Sequence, residues 1–290
     1  YSGNFTLGAG ITLVCDNNTY LEPVSLTTPI LTMVDTAKVY GLLTIVGDSL
    51  TSGYDIAMSE GCVLEAKDLG SDIYIGGGDG TISVTGMSGH KAYIKATEHL
   101  GIIDISGAVG DVYIESTRLA SIDYTNTTTG AKGHVKTDLL VKFCKVNAGT
   151  LSIEFDQAAS ASGNILQALG GKMIASCRIA DYSYGSNTST GDGYPVMVQD
   201  GTMILHDSQI RNGGGGACWV GGSPGYSKLI LTATVLEAGS TGGGTDPAIF
   251  ALPGTNVIYS GNTSANSSLA GGGAEAVTTN RIIDSAVVIG

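Results

Sequence analysis

The chain has 290 residues, 14% of them charged, and its 14 Lys and Arg against 26 Asp and Glu give a formal net charge of −12. That sign repels phosphate backbones and anionic bilayers, so nucleic acid is not an expected partner, and no run of about eighteen apolar residues offers a membrane-inserting helix. A hydrophobic content of 42% with 44 glycines and only 6 prolines excludes a disordered chain, and points to a β-rich protein covered by Ser, Thr, Asn and Gly turns.

In chain order, the sequence begins at Tyr1 without a methionine or a basic-then-apolar leader, as expected of a processed chain or an excised domain. Residues 1–60 hold short apolar runs such as "YGLLTIVGD", read as irregular first rungs of a repeat. Residues 61–147 are regular. The pairs Tyr74-Ile75, Tyr93-Ile94 and Tyr113-Ile114 fall 19 and 20 residues apart. A second strand follows each: Ile82-Ser83-Val84, Ile103-Asp104-Ile105 and Ile122-Asp123-Tyr124. Period-two alternation marks half-buried strands, and stacking such units on one another buries the apolar face that one unit leaves open.

Between the first two strands lies "IGGGDGTISV", residues 75–84, which resembles a calcium or phosphate loop. A calcium solenoid repeats its glycine-aspartate unit in tandem, but here Ile82 occupies the ligand position. No Gly-x-Gly-x-x-Gly register fits, and no Gly-Lys-Ser/Thr follows. One repeat later "KATEHLG" replaces the glycines, then "ESTRLA" does, which a coil corner tolerates and a ligand loop does not. No metal and no cofactor is therefore expected. The stretch "KTDLLVKFCKV", residues 136–146, is the one candidate for a short helix.

From residue 148 to 290 the rungs lengthen. Leu151, Met173, Met203, Leu229 and Val257 begin successive strands, separated by 22, 30, 26 and 28 residues. The extra length lies in insertions, notably "YGSNTSTGDGYP" (184–195) and "NGGGGACWVGGSPGY" (212–226). Aligning Ile179, Ile210 and Val235 as inward residues puts Cys177, Ser208 and Ala233 inward too. Arg178, Gln209 and Thr234 then form an outward row beside Ser176, Asp207 and Thr232. The expected fold is a single elongated all-β domain over 1–290, a right-handed parallel β-solenoid (β-helix). A β-sandwich or jelly roll is the alternative, but its hairpins would need two-residue Asn-Gly or Asp-Gly turns.

Cys15, Cys62, Cys144, Cys177 and Cys218 are scattered without a Cys-x-x-Cys pair, and read as small buried hydrophobes. The sequons at Asn4, Asn17, Asn126, Asn187, Asn262 and Asn266 read as turn residues first and glycosylation sites second. No Gly-x-Ser-x-Gly elbow is present, but two carboxylates on neighbouring rungs would suffice for glycoside hydrolysis. Asp181, Asp207 and Glu237 are the candidate catalytic acids; the competing reading makes them solvated turn residues. Tyr182, Tyr184, Tyr194, Trp219 and Tyr226 cluster in the two longest insertions, among short polar residues suited to sugar hydroxyls. Tyr182, Tyr184, Tyr194 and Trp219, with Gln209 and Arg211, form the candidate glycan-binding set. Against that, Trp219 would equally well pack its loop onto the coil.

The units around Tyr74, Tyr93 and Tyr113, followed by "DGTMILHDSQI" and "SKLILTATVL", resemble the parallel β-helix of bacteriophage tailspikes and tail fibres. The resemblance covers most of the chain and is one of rung texture, without a diagnostic motif. It implies a homotrimer on the virion tail, exposed outside the cell, that binds a host surface glycan. Some members also depolymerise that glycan. A bacterial surface adhesin would share the same texture.

Overall fold

A computed structural model describes residues 1–21, 31–34, 37–46, 56–58, 63–65, 73–76, 81–85, 92–107, 110–159, 163–183, 185, 190–239, 247–260, 263–265, 269–270, 274–277 and 281–283. The chain divides into two compact units, Tyr1–Leu139 and Leu140–Gly290. Each is all-β with parallel strands stacked as a β-solenoid, and no helix occurs among the described residues.

In the first unit every turn of the coil lays down three strands, and each joins its own ladder. One ladder runs through Phe5, Leu31, Ile56, Ile82, Ile103 and Ile122 in register. A second runs through Leu13, Val39, Leu64, Ile94 and Ile114. The third runs through Leu21, Ile45, Ile75, His99 and Leu119. Leu31, Val39, Ile103, Ile122 and Leu119 are fully buried, so the rows of like residues make the core. Each such side chain contributes ~1.5–3 kcal/mol on leaving water.

The expected alignments of Ile82 with Ile103 and Ile122, and of Tyr93-Ile94 with Tyr113-Ile114, are the observed registers. Tyr74-Ile75 is the exception. It pairs with Glu98-His99 on the third ladder, whereas Tyr93-Ile94 sits on Val63-Leu64. Period two is the same on all three faces, so alternation alone does not say which face a strand belongs to. At the two ends of "IGGGDGTISV", Ile73–Gly76 lies on the third ladder and Thr81–Thr85 on the first; residues 77–80 lie outside the described residues.

In the second unit Leu151, Met173, Met203, Leu229 and Val257 are register partners in that order, as their spacing predicts, and all five are fully buried. A second face stacks Cys144, Leu166, Val196, Cys218 and Ile249. The third stacks Ile179, Ile210 and Leu236. Three connections, 183–195, 213–217 and 239–248, follow the strands Lys172–Tyr182, Gln209–Asn212 and Val235–Ala238, and a further one, 222–227, follows Cys218–Gly221 at a different corner.

Two expectations are corrected. The stretch 136–146 is not a helix but part of the strand Lys132–Ala148, in which Val135, Thr137, Leu140, Cys144 and Val146 are buried. Leu140, Cys144 and Val146 are needed as inward positions of rungs, and that demand overrides local propensity. The alignment around Val235 is one residue out: Gln209 pairs with Val235, and Ile210 with Leu236. Val235 is 38% exposed, while Thr234 and Leu236 are fully buried. The slip arises at the corner, where Asp207 (φ 47°) and Ala233 (φ 48°) both adopt the left-handed conformation and interrupt the alternation.

Cys15, Cys144, Cys177 and Cys218 are free and buried, as expected of small hydrophobes, and Cys62 lies outside the described residues. Asn126 is a turn residue: its Oδ1 accepts from Thr128 N, while Nδ2 donates to Gly110 O and Tyr124 Oη. Its amide is only 2% exposed, so this sequon is closed in the folded chain.

Candidate functional site

Of the candidate residues, Asp181, Tyr182, Gln209, Arg211 and Glu237 lie on one face of the second unit, formed by the strands Lys172–Tyr182, Gln209–Asn212 and Val235–Ala238. Because Ile179, Ile210 and Leu236 point inward and are fully buried, their neighbours point out. Arg178 lies opposite Gln209, which lies opposite Val235; two residues on, Arg211 lies opposite Glu237. Arg178 and Arg211 are exposed, while Gln209 and Glu237 are half-buried. Arg211 Nε stands 3.6 Å from Glu237 Oε2, with the two side chains 61% and 39% exposed. An exposed single-point pair of this kind is worth ~0–1 kcal/mol.

The face begins at a tight corner. Ser208 is buried behind Asp207: its Oγ accepts from Cys177 N at 3.0 Å and donates toward His206 O at 2.9 Å. One rung on, Thr234 repeats the device, with Oγ1 at 3.0 Å from Thr232 O and 3.2 Å from Leu205 O. These hydroxyls satisfy backbone groups that a left-handed corner leaves out of the ladder. Burial pushes the Cys177 thiol up to about 12, against a partial lowering by its bond to Ser208. Cys218 is raised further, by burial first and then by the nearby Cys177. Both sulfurs are structural groups rather than nucleophiles.

Asp207 projects from the corner, 77% exposed, with Oδ2 3.5 Å from His206 Nδ1. Its backbone N–H donates to Thr232 O, which sets it level with Ala233, four residues before Glu237. Glu237 instead lies opposite Arg211, so Asp207 and Glu237 are not register partners across the ladder. Asp181 lies in the strand Lys172–Tyr182, and its side chain is outside the described residues, as is Tyr184.

The aromatic rings are placed differently from the polar side chains. Tyr182, Tyr194 and Trp219 are 2%, 0% and 3% exposed. By alternation Met197 and Trp219 point out of the coil, between inward Val196 and Val198 and between inward Cys218 and Val220. The insert that includes Gly191 and Tyr194 folds over them. Tyr194, Met197 and Trp219 form a cluster with Leu169, Phe250 and Leu252 packed against it. Gly191 (φ 79°) is required there, because a β-carbon would lie 2.7 Å from the Trp219 ring. Asn164 Nδ2 ties the insert down through Gly191 O and Tyr194 O, at 2.8 and 2.7 Å. Asn212, fully buried, donates from Nδ2 to Gly193 O and Gly216 O and accepts from Gly214 N. Tyr182 Oη donates to Gly163 O at 2.5 Å. The packing role proposed for Trp219 is the observed one, and these three rings present no face to a sugar.

Other aromatic residues stand elsewhere. Tyr226 is 71% exposed on the turn before the strand Lys228–Thr232. Tyr113 and His134 stack in the first unit, with ring centroids 5.1 Å apart and planes 13° from parallel. The sequence groups Tyr226 with the other loop aromatics, but only its position on a turn whose N–H groups bond Gly254 O and Ser223 O separates it from them.

No protein-family model, no curated protein and no solved structure matches this chain.

Proposed function

We propose that the chain is a receptor-binding β-solenoid of a virion tail, exposed outside the cell and recognising a host surface glycan. The observation that carries the reading is the outward row Arg178, Gln209, Arg211 and Glu237, held on adjacent parallel strands of a rigid ladder. Planar donors and acceptors at fixed spacing suit sugar hydroxyls and ring substituents, and a solenoid keeps them ordered without a ligand. The low charge and the Ser/Thr/Asn-rich turns fit a surface that works outside the cell.

A depolymerase on the same scaffold is the second reading, favoured by a different pair of acids. Asp104 and Asp123 are register partners on adjacent strands of the first unit, each between two inward residues. Parallel neighbours lie ~4.8 Å apart, close to the ~5–5.5 Å of retaining glycosidases. Incubation with purified capsular and lipopolysaccharide glycans separates the readings. Retention on a glycan column without shortened products supports the binder. Shortened products that disappear in Asp123→Asn support the enzyme. Neither retention nor cleavage of any surface glycan would remove both.

A further inference from the structure

We infer that the outward face carrying Arg178 and Arg211 takes an acidic glycan, its anionic group a sugar carboxylate. The inference rests on the glycan-binding reading and narrows it. The chain has only four arginines within a net charge of −12. Two of them project from adjacent strands of one face: Arg178 opposite Gln209, and Arg211 two residues beyond Gln209 on the same side. Positions related in this way are diagonal neighbours, ~7–8 Å apart at the backbone, which two arginine side chains span easily. Both guanidinium groups can therefore converge on one carboxylate, or bracket successive acidic sugars along a polymer.

The chemistry of the face favours ionic recognition over stacking. Tyr182, Tyr194 and Trp219 are buried, so these rings cannot supply the sugar platform. What the face offers instead is two planar forks with Gln209 between them. Guanidinium matches a carboxylate through two parallel N–H···O bonds, whereas a lysine would offer only a point charge. Gln209 adds a donor and an acceptor for a hydroxyl beside the acid. Arg211 is engaged by Glu237 only at 3.6 Å and through one nitrogen, in a half-exposed position. A ligand carboxylate making two shorter bonds displaces that contact at little cost. Among the described residues Arg178 has no ion-pair partner.

The test measures retention of the full chain on immobilised polygalacturonate, polysialic acid, dextran sulfate and neutral dextran, with Arg178→Gln and Arg211→Gln alongside. Circular dichroism and the thermal midpoint establish that both variants fold. The expected result is retention on at least one carboxylated polymer and none on dextran, with affinity falling at least tenfold in each variant. Arg178→Lys should lose most of that affinity despite keeping its charge. Equal retention on dextran, unmoved by either glutamine variant, would overturn the acidic assignment and leave glycan binding standing. Retention on dextran sulfate equal to that on the carboxylated polymers, with Arg178→Lys as good as wild type, would overturn the carboxylate fork in favour of plain charge attraction. Retention on none of the four polymers would overturn the acidic assignment; whether glycan binding itself survives is then decided by the capsular and lipopolysaccharide columns.

Discussion

Gly191 shows how a single residue holds an insert on the coil. It has φ 79°, and its missing side chain leaves room for the Trp219 ring at 2.7 Å. Gly130 has a similar φ of 83° with nothing within 4 Å of a β-carbon. Gly130→Ala therefore suffers the backbone strain alone, while Gly191→Ala suffers strain and an overpacked ring. We expect Gly191→Ala to lose ~1–3 kcal/mol more than Gly130→Ala, read as a midpoint several degrees lower in thermal unfolding. Equal losses would show that the Trp219 contact carries no weight. Cys177 makes a second test at this scale. Its thiol rises from 9.0 to about 12 on folding, so the folded state holds the proton more tightly. The stabilisation is complete below about pH 9 and is lost as the pH climbs toward 12, at ~1.4 kcal/mol per unit. The unfolding midpoint should hold below pH 9, fall between pH 9 and 12, and fall less steeply in Cys177→Ala.

At the scale of the strand, register decides which residues form the core. In Val235–Ala238 the residue opposite Ile210 is Leu236, fully buried, while Val235 faces out. Val235→Asp should therefore change stability by no more than ~0.5 kcal/mol, whereas Leu236→Asp buries an unpaired carboxylate and should unfold the rung. Urea titration of the two variants reads the difference. The reverse order would restore the alignment suggested by the β-branched residues alone. Asp207 and Ala233 set this register because each occupies the left-handed corner position of its rung. Neither is glycine, so no residue type in the sequence marks the place.

At the scale of the whole molecule, one feature of the second unit bears on assembly. Ile174, Ile204, Ile230 and Ile258 stand in register on the outward side of the face whose inward row begins at Met173. All four are half-buried, flanked by Lys172, Thr202, Lys228 and Asn256 on one side and by Ser176, His206 and Thr232 on the other. Four β-branched aliphatics stacked rung on rung make an apolar stripe suited to packing against another copy of the chain. The tailspike resemblance implies a homotrimer, and this stripe is the surface on which we propose its copies would meet. Light scattering should give three times the one-chain mass for wild type and a shift to smaller species for Ile204→Asp. A wild-type mass of one chain would end the trimer proposal.

The sequence by itself determined the class of fold and much of the register. Spacings between Leu151, Met173, Met203, Leu229 and Val257 became strand pairings because each apolar starter must stack on the next to leave water. The row Arg178 and Gln209 was legible for the same reason, since alternation assigns a side to every residue of a strand. Only the tertiary structure decided which of three faces received Tyr74, which side of the corner received Val235, and that Tyr182, Tyr194 and Trp219 are covered. Alternation repeats identically on every face, a left-handed corner leaves no fixed residue type, and an aromatic ring in a loop is exposed or buried according to what the loop lies against. Those three matters depend on contacts between segments far apart in the chain, so local pattern does not encode them.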